Sequence, residues 1–103
     1  MTTKRRPLGF ENINRAAMAR PLDILQRWLP GGRLEGAEYV ALNPHRSDKR
    51  MGSFKINWKT GLWADWSSGD SGGDLISLAA YLHRISQYEA AQRMAEMLGI
   101  AHE

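Results

Sequence analysis

The sequence predicts an α+β domain, a small antiparallel β-ribbon or sheet flanked by an N-terminal helix and two C-terminal helices. Three observations carry this. Ser53–Trp58 and Leu62–Trp66 read as short strands joined by Lys59-Thr60-Gly61, a hairpin loop with glycine where a left-handed residue is needed. Leu22, Leu25, Trp28 and Leu29 recur at the helical period, and Pro30-Gly31-Gly32 ends them. Past Gly73, Leu75, Ile76, Leu78, Ala79 and Leu82 form one apolar helical face, and Tyr88, Ala91, Ala95 and Leu98 form another.

Taken in order, residues 1–12 read as a basic flexible tail and 13–103 as a single domain. In the tail, Lys4, Arg5 and Arg6 can touch phosphates without being ordered. Ile13 to Ala19 supports a helical turn or two, and Pro21 either interrupts it or opens the next helix as its first residue. Glu38–Leu42 is a short strand between Gly36 and Asn43-Pro44, and Pro44 to Gly52 is a polar loop. In Ser53–Trp58 the alternation points Phe54, Ile56 and Trp58 one way and Lys55 and Asn57 the other. Ser67 to Gly73 reads as a flexible loop, with Asp74 as the N-cap or first-turn acid of the following helix. Ser86 to Glu89 has the capping-box spacing, and Gly99 is a natural helix stop.

At 103 residues, 43% hydrophobic and 24% charged, the chain suits one modest core and no large substrate cleft. It has no cysteine, so disulfides and thiolate metal sites are excluded. With no apolar run near the ~20 residues of a membrane span and no signal-peptide core, a cytoplasmic protein is expected. Its charge is unevenly spread. Residues 1–63 carry a formal +7 and residues 64–103 a formal −4, and an arginine-rich basic half suits a polyanionic partner.

Catalysis is hard to build from these residues. His45, His83 and His102 are scattered, and His83 reads as a helix-end capping or packing residue. Asp65, Asp70 and Asp74 lack the alternate ligands and closing glutamate of a calcium loop, and no Gly-Lys-Ser/Thr follows the glycines at 69, 72 and 73. A metal site from His45, Asp65 and Asp70 is conceivable on composition, but no stoichiometric metal and no cofactor are expected. A nucleic-acid surface is easier to assemble. Lys55 and Asn57 share one hairpin face, Lys59 lies at its tip, and Arg46, Lys49 and Arg50 sit on the preceding loop. Basic groups tracking phosphates beside an aromatic that stacks on a base are the ingredients of single-strand binding. Trp58 and Trp66 are assigned to the core and Trp63 to stacking. The alternative is a protein-interaction module that docks through its helical, acidic end.

The order of motifs from Asp23 to Leu78, about half of the chain, resembles the N-terminal zinc-ribbon domain of bacterial and phage DNA primases. Asp23-Ile24-Leu25 matches that family's opening helix, Leu42-Asn43-Pro44-His45-Arg46 its Leu-Cys-Pro-x-His, and Gly52-Ser53-Phe54 its Pro-Ser-Phe. Trp66-Ser67-Ser68-Gly69-Asp70-Ser71-Gly72-Gly73-Asp74 fills the frame of Cys-x-x-Cys-Gly-x-Gly-Gly-Asp. Asn43, Trp66 and Gly69 stand where the cysteines would be, and His45 is one place off the remaining ligand position. One histidine cannot hold a structural zinc, which takes four ligands. The resemblance therefore implies a metal-free, zinc-ribbon-like domain in which the Trp58/Trp63/Trp66 cluster and a hydrogen-bonded loop replace the ion. It further implies a non-catalytic module binding single-stranded DNA in replication of a phage or mobile element. Its implied partner is a helicase or a primase catalytic domain.

Overall fold

The structure, a computed structural model, describes residues 8–47 and 50–100. Helices α1 (Leu8–Ala17) and α2 (Pro21–Trp28) precede five strands: β1 (Arg33–Glu35), β2 (Glu38–Ala41), β3 (Phe54–Asn57), β4 (Trp63–Asp65) and β5 (Asp70–Gly72). Helices α3 (Leu75–His83) and α4 (Gln87–Leu98) close the chain. The strands form one antiparallel sheet in sequence order, so every pairing joins consecutive strands. The predicted α+β class is observed.

One face of the sheet carries the core. The register aligns Tyr39, Ile56, Trp63 and Gly72 in one row and Ala41, Phe54, Asp65 and Asp70 in the next. Within these rows Tyr39, Ala41, Phe54, Ile56 and Trp63 join a core with Phe10, Ile13, Leu25, Leu75, Ile76 and Leu78 from the helices. The ends of α2 and β2 are tied through Tyr39, whose hydroxyl donates to the Leu29 carbonyl at 2.7 Å.

The strand pattern departs from the sequence reading at both edges. β1 and β5 were not anticipated, because Arg33-Leu34-Glu35 and Asp70-Ser71-Gly72 lack the β-branched, alternating composition that marks a strand. They are edge strands held by pairing with β2 and β4 rather than by their own propensity. The N-terminal boundary also moves. Residues 8–12, assigned to the tail, belong to α1, and Phe10 and Ile13 are both buried. Lys4, Arg5 and Arg6 lie outside the described residues.

Helix ends follow the expected chemistry. Pro21 opens α2 as its first residue, where its missing N–H costs nothing. Asp74 caps α3 by accepting from the Ser77 amide at 2.8 Å, and the Ser77 hydroxyl returns to the Asp74 N–H. Asn14 of α1 donates to the same aspartate, linking the first helix to the third. Ser86 accepts from the Glu89 amide, while the Glu89 carboxylate turns outward to Arg93 instead of completing the box. Gly99 ends α4 in the left-handed conformation, with φ of 71°.

Gly72 and Gly73 differ in what they permit. A Cβ at Gly72 would sit 2.4 Å from the Ser77 Oγ and 2.5 Å from the Trp63 Nε1, whereas one at Gly73 meets nothing within 4 Å. Gly72→Ala is therefore expected to destabilise the fold by about 1–3 kcal/mol, because it overpacks the Trp63–Ser77 contact. Gly73→Ala is expected to stay within about 0.5 kcal/mol of the parent. Urea unfolding of both variants checks the contrast.

Candidate nucleic-acid interface

The face of the sheet opposite the core is exposed toward β4 and the β3–β4 tip, while Val40 on β2 is buried. Cross-strand register places Arg33, Val40, Lys55, Ala64 and Ser71 in one row across all five strands. Beside it, Asn57 lies next to Leu62, whose carbonyl accepts the Asn57 N–H. On the other side Trp66 donates its N–H to the Ser53 carbonyl. By strand alternation the Leu62, Ala64 and Trp66 side chains share this face. Trp66 is 77% exposed and Leu62 56% exposed, flanking a shallow hollow of about 190 Å³ lined also by Lys55, Asn57 and Ala64.

Trp63 points the other way. It is 5% exposed, its indole N–H donates to the Ser77 Oγ at 2.9 Å, and its ring lies 4.8 Å from that of Tyr81. Its assignment as the stacking residue is corrected, because a ring packed between sheet and α3 has no face for a base. The assignment of Trp66 to the core is corrected with it. Trp58 is half-buried at the far end of the hairpin, its indole N–H bonded to the Gly36 carbonyl. The three tryptophans therefore form no cluster. The observed aromatic group is Phe54, Trp63, Tyr81 and His45.

The basic residues named from sequence are distributed unevenly. Lys55 lies at the centre of the open face, with its Nζ 3.8 Å from a Glu38 carboxylate oxygen, a weak and partly exposed pair. Lys59 is exposed at the β3–β4 tip, 5.4 Å above the Trp58 ring. Arg50 is exposed just before β3, and Lys49 lies outside the described residues. Arg46 turns inward, its Nε bonding Asp65 at 3.0 Å.

That contact belongs to a polar network between the sheet end and α3. Asp65 is fully buried. One of its oxygens accepts from Asn43 at 2.8 Å and from Arg46, and the other accepts the backbone amides of Ser67 and Ser68. Asn43 also donates to the Tyr81 hydroxyl at 2.8 Å, and that hydroxyl donates to Asp70 at 2.8 Å. The Asn43 side-chain oxygen accepts the His45 amide, completing its use. Burial pushes the Asp65 carboxyl up, but the Asn43 bond, the two serine amides and the Arg46 charge outweigh it and hold the group below its ordinary range. Burial raises the Tyr81 phenol, reinforced by Asp70, so it remains a donor.

Sequence reasoning missed this network: Asn43, His45, Arg46 and Asp70 lie in the motif segments, but Asp65 and Tyr81 fall outside them. Among the described residues no group of three or more His, Cys, Asp or Glu is placed to hold a metal ion. A tetrahedral zinc does not fit the donors present: at the motif positions stand an amide, an indole and a glycine. His45, Asp65 and Asp70, weighed as a metal set, are each engaged with protein partners instead.

Neither family models nor curated proteins yield a match to the chain. Among solved structures, the crystal structure of the Aquifex aeolicus primase, comprising its zinc-binding and RNA polymerase domains, superposes with a TM-score of 0.77 at 20% identity. The fold is primase-like. The superposition covers 100% of this chain and 23% of that one. This primase-like fold holds no helix among the described residues long and apolar enough to cross a membrane.

Because the folded-state value of Asp65 lies below that of the unfolded chain, its contribution is fully present above about pH 3.9 and is lost as pH falls through the folded value. Asp65→Asn keeps the shape and removes the charge. The variant is expected to be less stable than the parent at pH 7, with the gap narrowing as pH drops from about 5 to below 3. Urea unfolding across that range measures it, and a gap independent of pH would remove the ionised carboxylate from the account.

Proposed function

We propose that this chain is a nucleic-acid-binding accessory module of replication that holds single-stranded DNA on the open face of its sheet. The observation that carries the reading is Trp66, a large aromatic left 77% exposed beside Lys55 in a shallow hollow of the sheet. An exposed indole offers a stacking platform worth about 1–3 kcal/mol per base, and Lys55, Lys59 and Arg50 supply charge for phosphates. The primase-like fold supports a role in replication, with a helicase or primase catalytic domain as the protein partner. No residue here is given a catalytic task, and the context of a phage or mobile element is part of the same proposal.

Trp66→Ala is expected to weaken binding of a fluorescent oligothymidylate by about 1–3 kcal/mol while leaving thermal stability nearly unchanged. Trp63→Ala should instead cost about 3–5 kcal/mol of folding stability. Equal binding by the parent and Trp66→Ala would sink the stacking role.

We also propose that the domain is zinc-independent, with the Asn43–Asp65–Tyr81 network bracing the place where the resembled family carries its ion. Elemental analysis of protein purified without added zinc is expected to find no stoichiometric metal, and a chelator should leave the melting temperature unchanged. Stoichiometric zinc would overturn this.

A second reading, docking onto a replication partner through the helical side, has one observation behind it. A groove of about 330 Å³ between α2 and the end of α4 is lined by Arg20, Asp23, Arg27, Met97 and Leu98. Lys55→Glu combined with Lys59→Glu separates the two: lost DNA binding supports the sheet face, and intact DNA binding favours docking.

A further inference from the structure

Arg84 is the one non-glycine residue with positive φ, 56°, among the described residues. It ends α3, its N–H bonding the Ala80 carbonyl, and the Ile85 N–H bonds the same oxygen. Glycine is usual there, because a Cβ in the left-handed conformation crowds the carbonyl. An arginine therefore sits where the backbone disfavours it, which directs attention to its side chain.

That side chain is exposed and aimed. Its Nε and Nη2 lie 3.2 and 3.0 Å from the His45 Nδ1. Arginine only donates, so Nδ1 accepts, and the His45 Nε2 carries the hydrogen that it donates to the Tyr81 carbonyl at 2.6 Å. The guanidinium is thereby held over a hollow of about 360 Å³ lined by His45, Asp70, Ala80 and Tyr81. Its Nη1 makes no hydrogen bond among the described residues. The acid in the hollow, Asp70, is turned to the Tyr81 and Ser68 hydroxyls, which both donate to one of its oxygens, and its charge stays beside the guanidinium.

The hollow lies one turn from the open face. Trp66 leads directly into the Ser67–Ser68 turn, and Ser68 is bonded to Asp70 at the edge of the hollow. We infer that Arg84 binds a backbone phosphate of the same single strand whose base stacks on Trp66, extending the interface around the end of the sheet. This rests on the proposed single-strand function. Sequence position conceals Arg84, because it lies in the acidic half of the chain, at a helix end.

The test uses Arg84→Gly and Arg84→Asn, both suited to the left-handed backbone and both uncharged. Binding of a fluorescent oligothymidylate is measured by anisotropy over a salt series, with folding checked by circular dichroism. Both variants are expected to bind several-fold more weakly at low salt. The slope of log affinity against log salt should fall by about 0.7, one phosphate contact on a single strand. An unchanged slope overturns the inference, and if it comes with a lowered melting temperature Arg84 merely braces the end of α3. Absence of any binding by the parent protein would instead overturn the proposed function, so the two failures are distinguishable.

Discussion

The buried carboxylate of Asp65 is the constraint around which the domain is arranged. A charge without solvent must be met on every lone pair or it destabilises the fold by several kcal/mol. Here each oxygen has two donors, drawn from the β2–β3 loop and from the turn after β4. Satisfying one carboxylate thus fixes two loops at once. Through Asn43 and the Tyr81 hydroxyl the same network reaches α3, so sheet end and helix are held in one geometry. The fold gains a polar staple whose members are individually ordinary and useful only together.

This staple also explains which part of the fold was legible in the sequence. Phe54 and Ile56 alternate with Lys55 and Asn57, and the faces came out as the pattern says. In the next strand the pattern misleads. Leu62, Ala64 and Trp66 are more apolar than the intervening Trp63 and Asp65, so hydrophobicity alone turns the wrong set inward. The observed orientation is the reverse, because register with β3 aligns Trp63 with Ile56 and Asp65 with Phe54. An aspartate reads as a surface residue unless its donors are known, and Asn43, 22 positions away, is invisible to any local window. Helices α2, α3 and α4, by contrast, were specified locally by Pro21, Asp74, Ser86 and Gly99, whereas the start of α1 has no such marker among the described residues. Edge strands β1 and β5 lacked such local signals, since only their neighbours make them strands.

The exposed Trp66 and the staple are neighbours along the chain. Trp66 stands between Asp65, which faces inward, and Ser67 and Ser68, whose amides are held by that aspartate. The exposed indole thereby sits at the start of a turn whose backbone is hydrogen-bonded to the staple.

The packing of α1 sets an order on assembly during synthesis. The sheet is a meander, so each hairpin can pair as soon as its second strand leaves the ribosome. α1 cannot finish so early, because its apolar residues Phe10, Ile13 and Ala17 pack with α3 and α4, more than 55 residues further on. At roughly 5–20 residues per second, α1 waits several seconds for α4. During that interval the apolar side of α1 lacks its partner helices, and the arrival of α4 is the event that completes its burial.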